Sequence, residues 1–214
     1  MGEELEYIRV GNRIPCTYFL TKGIGESDIT VHAGSLDDAL ENAGIENFNI
    51  LKYTSIMPGI AKRIDRPKKD IFEVDHKGAP KIVHGSVCET IMAEKTNLIG
   101  ERATAGLIIG WIYDKKTNRR VGGLVAEYSG HEEEPAAAEA LKRMMDRMAK
   151  QRLKNRPNLE VRDIEIETAS IVPKKKYGTA IVVIVFTDYV IPKFKDMTDK
   201  DVDALYVYKQ PGLR

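Results

Sequence analysis

Cysteine is scarce in this sequence, and the patterns from which metal sites are built are absent. Cys16 and Cys88 are the only two cysteines among 214 residues, and they share neither a CxxC motif nor a nearby histidine pair. The four histidines are scattered without the spacing of metal ligands. We therefore predict two buried structural thiols, no disulfide and no metal site.

The sequence also lacks a dominant charge sign. Its 33 basic and 32 acidic residues are well mixed and leave a formal net charge of +1. Nucleic acid and anionic membrane surfaces attract proteins with a clear excess of positive charge. This composition therefore predicts neither nucleic acid nor membrane as a partner.

Long hydrophobic runs are missing as well. The longest nearly apolar stretch, ATAGLIIGWIY at 103–113, is too short to span a bilayer. The amino terminus, MGEELEYIRV, lacks the apolar core of a signal peptide. These two absences predict a cytoplasmic location.

What the sequence does contain is enough apolar material for one sizeable core. Hydrophobic residues make up 43% of the chain and charged residues 30%, as in globular proteins of this size. There is no internal repeat and no low-complexity linker. We predict a single domain over residues 1–214, with a loop at 63–80 and a charged tail at 193–214.

Segments in which apolar and polar residues alternate dominate the chain and predict a sheet-rich protein. Turn residues in DKKTNRR, 114–120, separate two such segments, so 103–128 is predicted to form an antiparallel hairpin. The predicted strand segments are 17–22, 47–55, 81–93, 103–114, 121–128, 161–172 and 177–189.

Two helices are predicted between the strands. SLDDALENAG, 35–44, fits a capping box in which Ser35 and Asp38 satisfy each other's backbone amides, and Gly44 ends the helix. EEEPAAA opens the second helix, with Pro135 in its first turn. The apolar stripe of this second helix is predicted to be core and consists of Leu141, Met144, Met145 and Met148. Strands covered by two amphipathic helices predict a layered α+β domain.

The sequence has no complete short motif of another functional class. GIGES, 23–27, lacks the full GxGxxG spacing and is interpreted as a turn. KKK, 174–176, precedes a strand and is interpreted as a loop. Neither a GxSxG nucleophile motif nor a zincin motif occurs.

One strand segment ends in an unusual way. IENFNILKYTSIMPG, 45–59, runs as a strand into the hydroxyl pair Thr54-Ser55 before Pro58-Gly59. An exposed hydroxyl pair before a turn explains this pattern. The alternative is that the Ser55 hydroxyl attacks the preceding carbonyl, giving an ester that eliminates and leaves a keto group at a new amino terminus.

A family resemblance favours the second interpretation. SLDDALENAGIENFNILKYTSIMPGIA, 35–61, and GGLVAEYSG, 122–130, resemble the pyruvoyl-dependent arginine decarboxylases. The helix, the GIxNxN strand, the hydroxyl pair and the proline match in register, and weaker similarity runs from about Pro15 to Asp188. The resemblance implies an αββα sandwich that assembles as homotrimers or hexamers, with active sites between subunits.

The resemblance also implies the chemistry. Cleavage between Thr54 and Ser55 leaves a β chain of residues 1–54 and an α chain of residues 55–214, which begins with a pyruvoyl group made from Ser55. This covalent cofactor forms a Schiff base with the amine of L-arginine and accepts the electrons released with CO2, so that agmatine is formed. Such a reaction serves polyamine synthesis or acid resistance.

Further site residues are implied residue by residue. Glu127 matches the family's proton donor, and partial burial in an apolar strand is expected to raise its pKa. Asn49 matches an asparagine that hydrogen-bonds near the pyruvoyl group, and Phe48 belongs to the substrate-binding set. Alternatively, Glu127 is an outward-facing strand carboxylate, and Asn49 faces solvent on an edge strand.

Asp37 matches the aspartate that recognises the substrate guanidinium, a cation suited to a bidentate carboxylate. The predicted capping box agrees, because it occupies Asp38 and leaves Asp37 to face outward. The alternative is that Asp37 only complements the helix dipole.

One departure from the family pattern is the threonine before the cleavage serine, which affects processing rate at most. The 63–80 loop and the tail bear on the substrate entrance. Two other functions therefore stay open: a pyruvoyl decarboxylase of another amino acid, and an uncleaved relative that only binds a small cation or a partner subunit.

Overall fold

The computed structural model describes residues 12–66 and 84–192. They form a mixed α/β fold, mostly sheet, with two helices. Within these residues neither helix is long and apolar enough to cross a membrane. The chain divides into two compact units, and the larger, Pro15–Asp188, contains the site discussed below. The other comprises Met1–Ile14 and Tyr189–Arg214; its described residues, 12–14 and 189–192, include the outer ends of the first and last strands.

Nine strands and two helices follow one another along the described residues. An irregular turn, Val31–Leu36, precedes the first helix. In chain order the elements are β1 (Ile14–Ser27), α1 (Asp37–Ala43), β2 (Asn49–Lys52), β3 (Ile56–Pro58), β4 (Lys62–Arg63), β5 (Val87–Leu98), β6 (Ala103–Asp114), β7 (Arg120–Gly130), α2 (Glu134–Leu153), β8 (Leu159–Ile171) and β9 (Tyr177–Val190).

The strands form two sheets. A five-stranded sheet has the order β2-β5-β9-β1-β4, and a four-stranded sheet has the order β3-β7-β6-β8. β2 pairs with β5, and β1 with β4, in parallel, whereas all pairs of the four-stranded sheet are antiparallel. The β6–β7 pairing confirms the predicted hairpin.

The central strand β9 is buried on both faces. Ile181, Val183 and Val185 pack in a cluster with residues of α1. Val182 and Ile184, which alternate with them, are also fully buried. A strand covered on both sides carries a continuous apolar run, which explains why this segment reads IVVIVF rather than alternating.

The two sheets contact each other through aromatic rings. Tyr18 of β1 and Trp111 of β6 have ring centroids 6.2 Å apart, and both side chains are buried. Each sheet also packs against its own helix: α1 covers the cluster on β1, β5 and β9, and α2 covers Ile108, Leu124 and Ala126 of the four-stranded sheet.

The start of α1 differs from the prediction. The helix begins at Asp37 with Leu36 as its cap residue, and no side chain caps it. The Ser35 hydroxyl is buried instead and hydrogen-bonds the Thr179 hydroxyl at 2.9 Å. The capping box was wrong because a buried partner on β9 competes for the serine. The predicted stop is confirmed, since Gly44 adopts a left-handed conformation with φ 69°.

GIGES, interpreted as a turn, is the end of β1. A Cβ at Gly23 would lie 2.0 Å from the Ala39 carbonyl oxygen, and one at Gly25 would lie 2.5 Å from the Ala39 amide nitrogen. The two glycines therefore allow the backbone of α1 to approach β1 closely, which is a packing role rather than a turn.

The second helix begins as predicted, with Pro135 in its first turn and basic residues in its last. Leu141 and Met145 are buried, but Met144 is 38% exposed. The prediction that Met144 belongs to the core was therefore wrong. Leu141 and Met145 point at the sheet, and Met144 lies one step round the helix from them.

The two thiols differ in burial, and both are free. Cys88 is buried, as predicted, and burial raises its pKa to about 11. Cys16 is only partly buried, and its pKa is raised by burial and by the Asp188 carboxylate. Most of the predicted 63–80 loop, the first residues of the predicted 81–93 strand and the 193–214 tail lie outside the described residues.

Candidate active site

The predicted cleavage site lies where the chain passes from one sheet to the other. The Tyr53 amide donates to the Thr90 carbonyl of β5 at 2.6 Å, and the Val125 amide of β7 donates to the Ser55 carbonyl at 2.9 Å. Thr54 alone lies between these two anchors. The Thr54–Ser55 peptide therefore has both of its ends fixed by different sheets.

A tight turn is centred on Ser55. The Ile56 amide donates to the Thr54 carbonyl oxygen at 3.0 Å, an i to i+2 bond that closes a three-residue turn. A donor at this distance polarises the carbonyl and stabilises negative charge that develops on its oxygen. The carbonyl that Ser55 would attack thus already has a hydrogen-bond donor.

Ser55 lines a cavity of about 370 Å³. Thr54 is exposed and Ser55 is half-buried. The strand β7 contributes Ala126 and Glu127 to the cavity wall. The helix α2 contributes the remaining lining residues, Met144, Arg147, Met148 and Gln151.

The environment of Glu127 favours the protonated carboxyl. Ala126 and Tyr128 pack in the cluster beneath α2, so alternation along β7 turns the Glu127 side chain to the opposite face. Although the residue is exposed, partial burial of its carboxyl raises the pKa, and the Lys52 ammonium opposes this by favouring the charged form. A raised pKa suits a general acid at neutral pH.

Asp37, Phe48 and Asn49 do not lie with Ser55 and Glu127 in this cavity. Asp37 is exposed at the start of α1, and Phe48 packs against the cluster beneath that helix. The Asn49 side-chain amide donates to the Gly85 carbonyl at 2.8 Å. Within one chain, the predicted site residues therefore form two groups, one near α2 and one near α1.

The comparison with known families covers both groups of residues. The model of the pyruvoyl-dependent arginine decarboxylase family matches residues 17–191. The chain belongs to this family. The match includes all five predicted site residues and also Thr54.

Relatives in the same family are similar over part of the chain. The pyruvoyl-dependent arginine decarboxylase AaxB of Chlamydia muridarum is 37% identical over 130 residues, which are 55% of this chain and 60% of that protein. The pyruvoyl-dependent arginine decarboxylase of Methanococcus aeolicus is 32% identical over 130 residues, 60% of this chain and 67% of that protein. The chain thus spans about three fifths of the chlamydial relative.

Sequence reasoning missed Arg147 and Gln151 of the cavity and assigned Met144 and Met148 to the core. These four residues follow the i, i+3, i+4, i+7 spacing of one helix face, and this spacing was the available signal. A face with two methionines, an arginine and a glutamine matches neither a core stripe nor a solvent stripe, so the sequence did not mark it as part of a site. Lys52 gave no signal, since its effect on the Glu127 pKa arises only in the folded chain.

Among the described residues, no group of three or more histidine, cysteine or acidic side chains is arranged to hold a metal ion. The residues that line the cavity with Ser55 include a glutamate, an arginine and a glutamine, and backbone amides lie beside Ser55.

Proposed function

We propose that this chain is a self-processing pyruvoyl-dependent decarboxylase that converts L-arginine to agmatine and CO2. The observation that carries the proposal is the geometry at Ser55: the Thr54 carbonyl accepts the Ile56 amide at 3.0 Å, and Ser55 shares a cavity with Glu127. Membership of the family and the names of the relatives support the substrate.

The proposed maturation uses the chain's own atoms. The Ser55 Oγ adds to the Thr54 carbonyl carbon, the peptide C–N bond breaks, and the proton of the hydroxyl goes to the released Ser55 nitrogen. Removal of the Ser55 α-proton then breaks the ester C–O bond and frees the Thr54 carboxylate. One water replaces the nitrogen, which leaves as ammonia. The α chain, 55–214, then starts with a pyruvoyl group and the β chain, 1–54, ends at Thr54.

The residues around Ser55 fit such a group. Ala126, Met144 and Met148 form apolar walls that limit water around it. A pyruvoyl group made from Ser55 would supply a carbonyl for a Schiff base with the substrate amine and a sink for the electron pair released as CO2 departs. The Glu127 carboxyl, whose pKa is raised, holds the proton that is then delivered to the substrate α-carbon.

We further propose an αββα sandwich for the fold and a homotrimer or hexamer for the assembly. Because Asp37, Phe48 and Asn49 lie apart from the Ser55 cavity within one chain, the site is completed in this proposal by a neighbouring subunit. Asn49 then hydrogen-bonds near the pyruvoyl group, and Asp37 binds the guanidinium. A cytoplasmic location, with no nucleic-acid or membrane partner, is part of the same proposal.

The substrate assignment is tested at α1, where two exposed carboxylates stand side by side. No hydrogen bond from Asp38 caps the helix, so the capping argument no longer separates Asp37 from Asp38. The family match alone selects Asp37. Asp38→Ala is therefore the matched control, because it removes the neighbouring carboxylate at the same helix end.

We expect Asp37→Ala to cleave normally and to lose arginine turnover about 100-fold or more, because the guanidinium then lacks its charged partner. Asp38→Ala should keep at least half of the wild-type rate. The measurement is CO2 release from L-arginine, with L-lysine and L-ornithine as competing substrates. Unchanged arginine preference in Asp37→Ala, or an equal loss in Asp38→Ala, would refute the assignment.

A further inference from the structure

Arg120, at the start of β7, binds the segment that follows the cleavage site. Its Nε donates to the Gly59 carbonyl at 2.9 Å, and its Nη2 donates to the Ala61 carbonyl. The Ala61 amide in turn donates to the Pro58 carbonyl at 3.0 Å, which closes a turn directly after β3. One guanidinium thus holds both carbonyls that flank Ile60 in this turn.

The guanidinium is itself held by an aromatic ring. Its Cζ lies 4.0 Å from the centroid of the Trp111 ring, and Trp111 is only 5% exposed. Gly123 lets the ring lie close to β7, since a Cβ there would be 2.9 Å from the indole. A cation over a buried indole is a favoured arrangement for arginine.

The backbone of β7 is shaped for this contact. Ile112 pairs with Gly122 and Tyr113 pairs with Arg120, so Val121 is an extra residue in the ladder. Bulges of this kind redirect a side chain. Gly59 lies against the bulge, where a Cβ would be 2.7 Å from the Val121 carbonyl carbon. The segment after β3 therefore fits this one place on β7.

These contacts fix the downstream end of β3. The upstream end is fixed by the Val125 amide on the Ser55 carbonyl, and Ile56, Met57 and Pro58 pair with β7 between the two ends. Gly59 lies four positions beyond Ser55, roughly 13 Å of extended chain. A slip of β3 along β7 would move Ile56, whose amide donates to the Thr54 carbonyl.

We infer that Arg120 is a positioning residue for self-cleavage: it holds β3 on β7 so that the Ile56 amide stays on the Thr54 carbonyl. This inference rests on the self-processing function proposed above. Arg120 touches neither Thr54 nor Ser55 in this account and acts only through β3. After cleavage, its contribution to substrate turnover is small, because the peptide geometry it holds has already been used.

The test compares Arg120→Met and Arg120→Lys with Arg162→Met. Methionine keeps an apolar stem without donors, and lysine keeps the charge without the two-pronged fork. Arg162 is the matched control: it stacks on Tyr113 at 4.1 Å, donates to Asn118 at 2.6 Å, pairs with Glu160 at 3.3 Å and lies opposite Trp111 in the β6–β8 ladder. None of these partners belongs to residues 53–61. The freshly purified precursor of each variant is incubated, and the two cleavage products are quantified by intact mass. The melting temperature of each variant is measured alongside.

We expect Arg120→Met to cleave about ten- to a hundredfold more slowly than the wild type, the range that a small misplacement of reacting groups costs. The cleavage rate of Arg120→Lys should lie between those of Arg120→Met and the wild type. The fraction that does cleave should decarboxylate arginine at the wild-type rate per pyruvoyl group, and Arg162→Met should cleave normally. A slower cleavage with unchanged turnover per site is a result that general destabilisation does not produce.

Three outcomes overturn the inference. If Arg120→Met and Arg120→Lys both cleave at the wild-type rate, only the role of Arg120 is wrong. If Arg162→Met slows cleavage as much as Arg120→Met does, the effect belongs to stability. If the wild-type chain never cleaves, the proposed function fails and this inference fails with it.

Discussion

Ser55 and Glu127 illustrate what single residues contribute to the proposed chemistry. The hydroxyl pair and the following proline are a local pattern that an ordinary turn also explains, and it was the family resemblance that selected Ser55 as the predicted cleavage residue. To predict the role of Glu127, one has to know which face of its strand the side chain is on, and the alternation of the sequence does not decide this. The structure makes that choice through Ala126 and Tyr128, which pack beneath α2 and leave Glu127 on the opposite face of β7.

The pKa of Glu127 leads to a prediction about pH. Because the group is an acid and its pKa is raised, its protonated form persists to higher pH than for an ordinary glutamate. Turnover that needs the proton should fall as the pH rises through this pKa. Glu127→Gln should lower turnover about 100-fold or more in fully cleaved protein and remove this limb of the pH–rate profile.

Lys52 provides the companion variant. Its ammonium lowers the pKa of Glu127, and it also donates to Glu94 at 2.7 Å. Lys52→Gln removes that opposing charge, so the decline of turnover with rising pH should shift to higher pH. Near-normal turnover in Glu127→Gln would eliminate Glu127 as the proton donor, and an unmoved limb in Lys52→Gln would assign the titration to another group.

At the scale of elements, the strands and helices that were predicted well are those whose signals are local. The 103–128 hairpin follows from two apolar runs and a turn sequence, and Pro135 marks the start of α2. GIGES was misread because its glycines serve the approach of α1, an element that lies beyond it in the chain. The capping box failed for the same reason, since Thr179 of β9 takes the Ser35 hydroxyl.

The hairpin turn between β6 and β7 is organised by Asp114. Its Oδ1 accepts the Lys116 and Thr117 amides at 3.0 Å and 2.8 Å, and its Oδ2 accepts the Asn158 side chain at 3.0 Å. Asn118 adopts the left-handed conformation with φ 53°. The Thr117 amide, the Asn158 amide and the Thr117 hydroxyl together lower the Asp114 pKa to about 2.

This lowered pKa predicts how the stability of the fold depends on pH. Since the folded pKa of about 2 lies below the ordinary 3.8, the contribution is fully present above pH 4 and is lost as the pH falls towards 2. Asp114→Ala should therefore melt a few degrees below the wild type at neutral pH, and the gap should narrow in acid. Asp114→Asn keeps one acceptor oxygen, so its melting temperature should lie between those of Asp114→Ala and the wild type.

The measurement is thermal unfolding followed by circular dichroism at several pH values. A gap between the wild type and Asp114→Ala that stays constant down to the acid limit of folding would contradict the titration. Equal melting temperatures at neutral pH would show that the turn does not depend on this carboxylate.

At the scale of the whole molecule, the arrangement of two sheets determines where the predicted residues lie. The peptide that is proposed to be cleaved joins the sheets, with Tyr53 bound to β5 and Ser55 bound to β7. Asp37 and Phe48 belong to the α1 side, whereas the cavity at Ser55 is lined by α2. No sequence pattern reports that separation, because it depends on which helix covers which sheet.

The contacts of Arg120 could not be predicted from the sequence either. The residue stands at the end of a turn rich in basic residues, where a solvated side chain is the ordinary expectation. Only the bulge at Val121 and the crossing of residues 59–61 bring it onto Trp111 and two carbonyls. Residues that depend on contacts between distant segments are thus the part of the site that sequence reasoning does not reach.

The most direct test of the account is the intact mass of the purified protein under denaturing conditions. The account predicts two chains divided after Thr54, the smaller ending in an ordinary carboxylate. The larger should be lighter by one ammonia than a fragment that starts with serine. Ser55→Ala, which lacks the attacking hydroxyl, should stay as one chain. A wild-type protein that remains a single full-length chain on prolonged incubation would contradict the account, whatever the resemblance of its sequence.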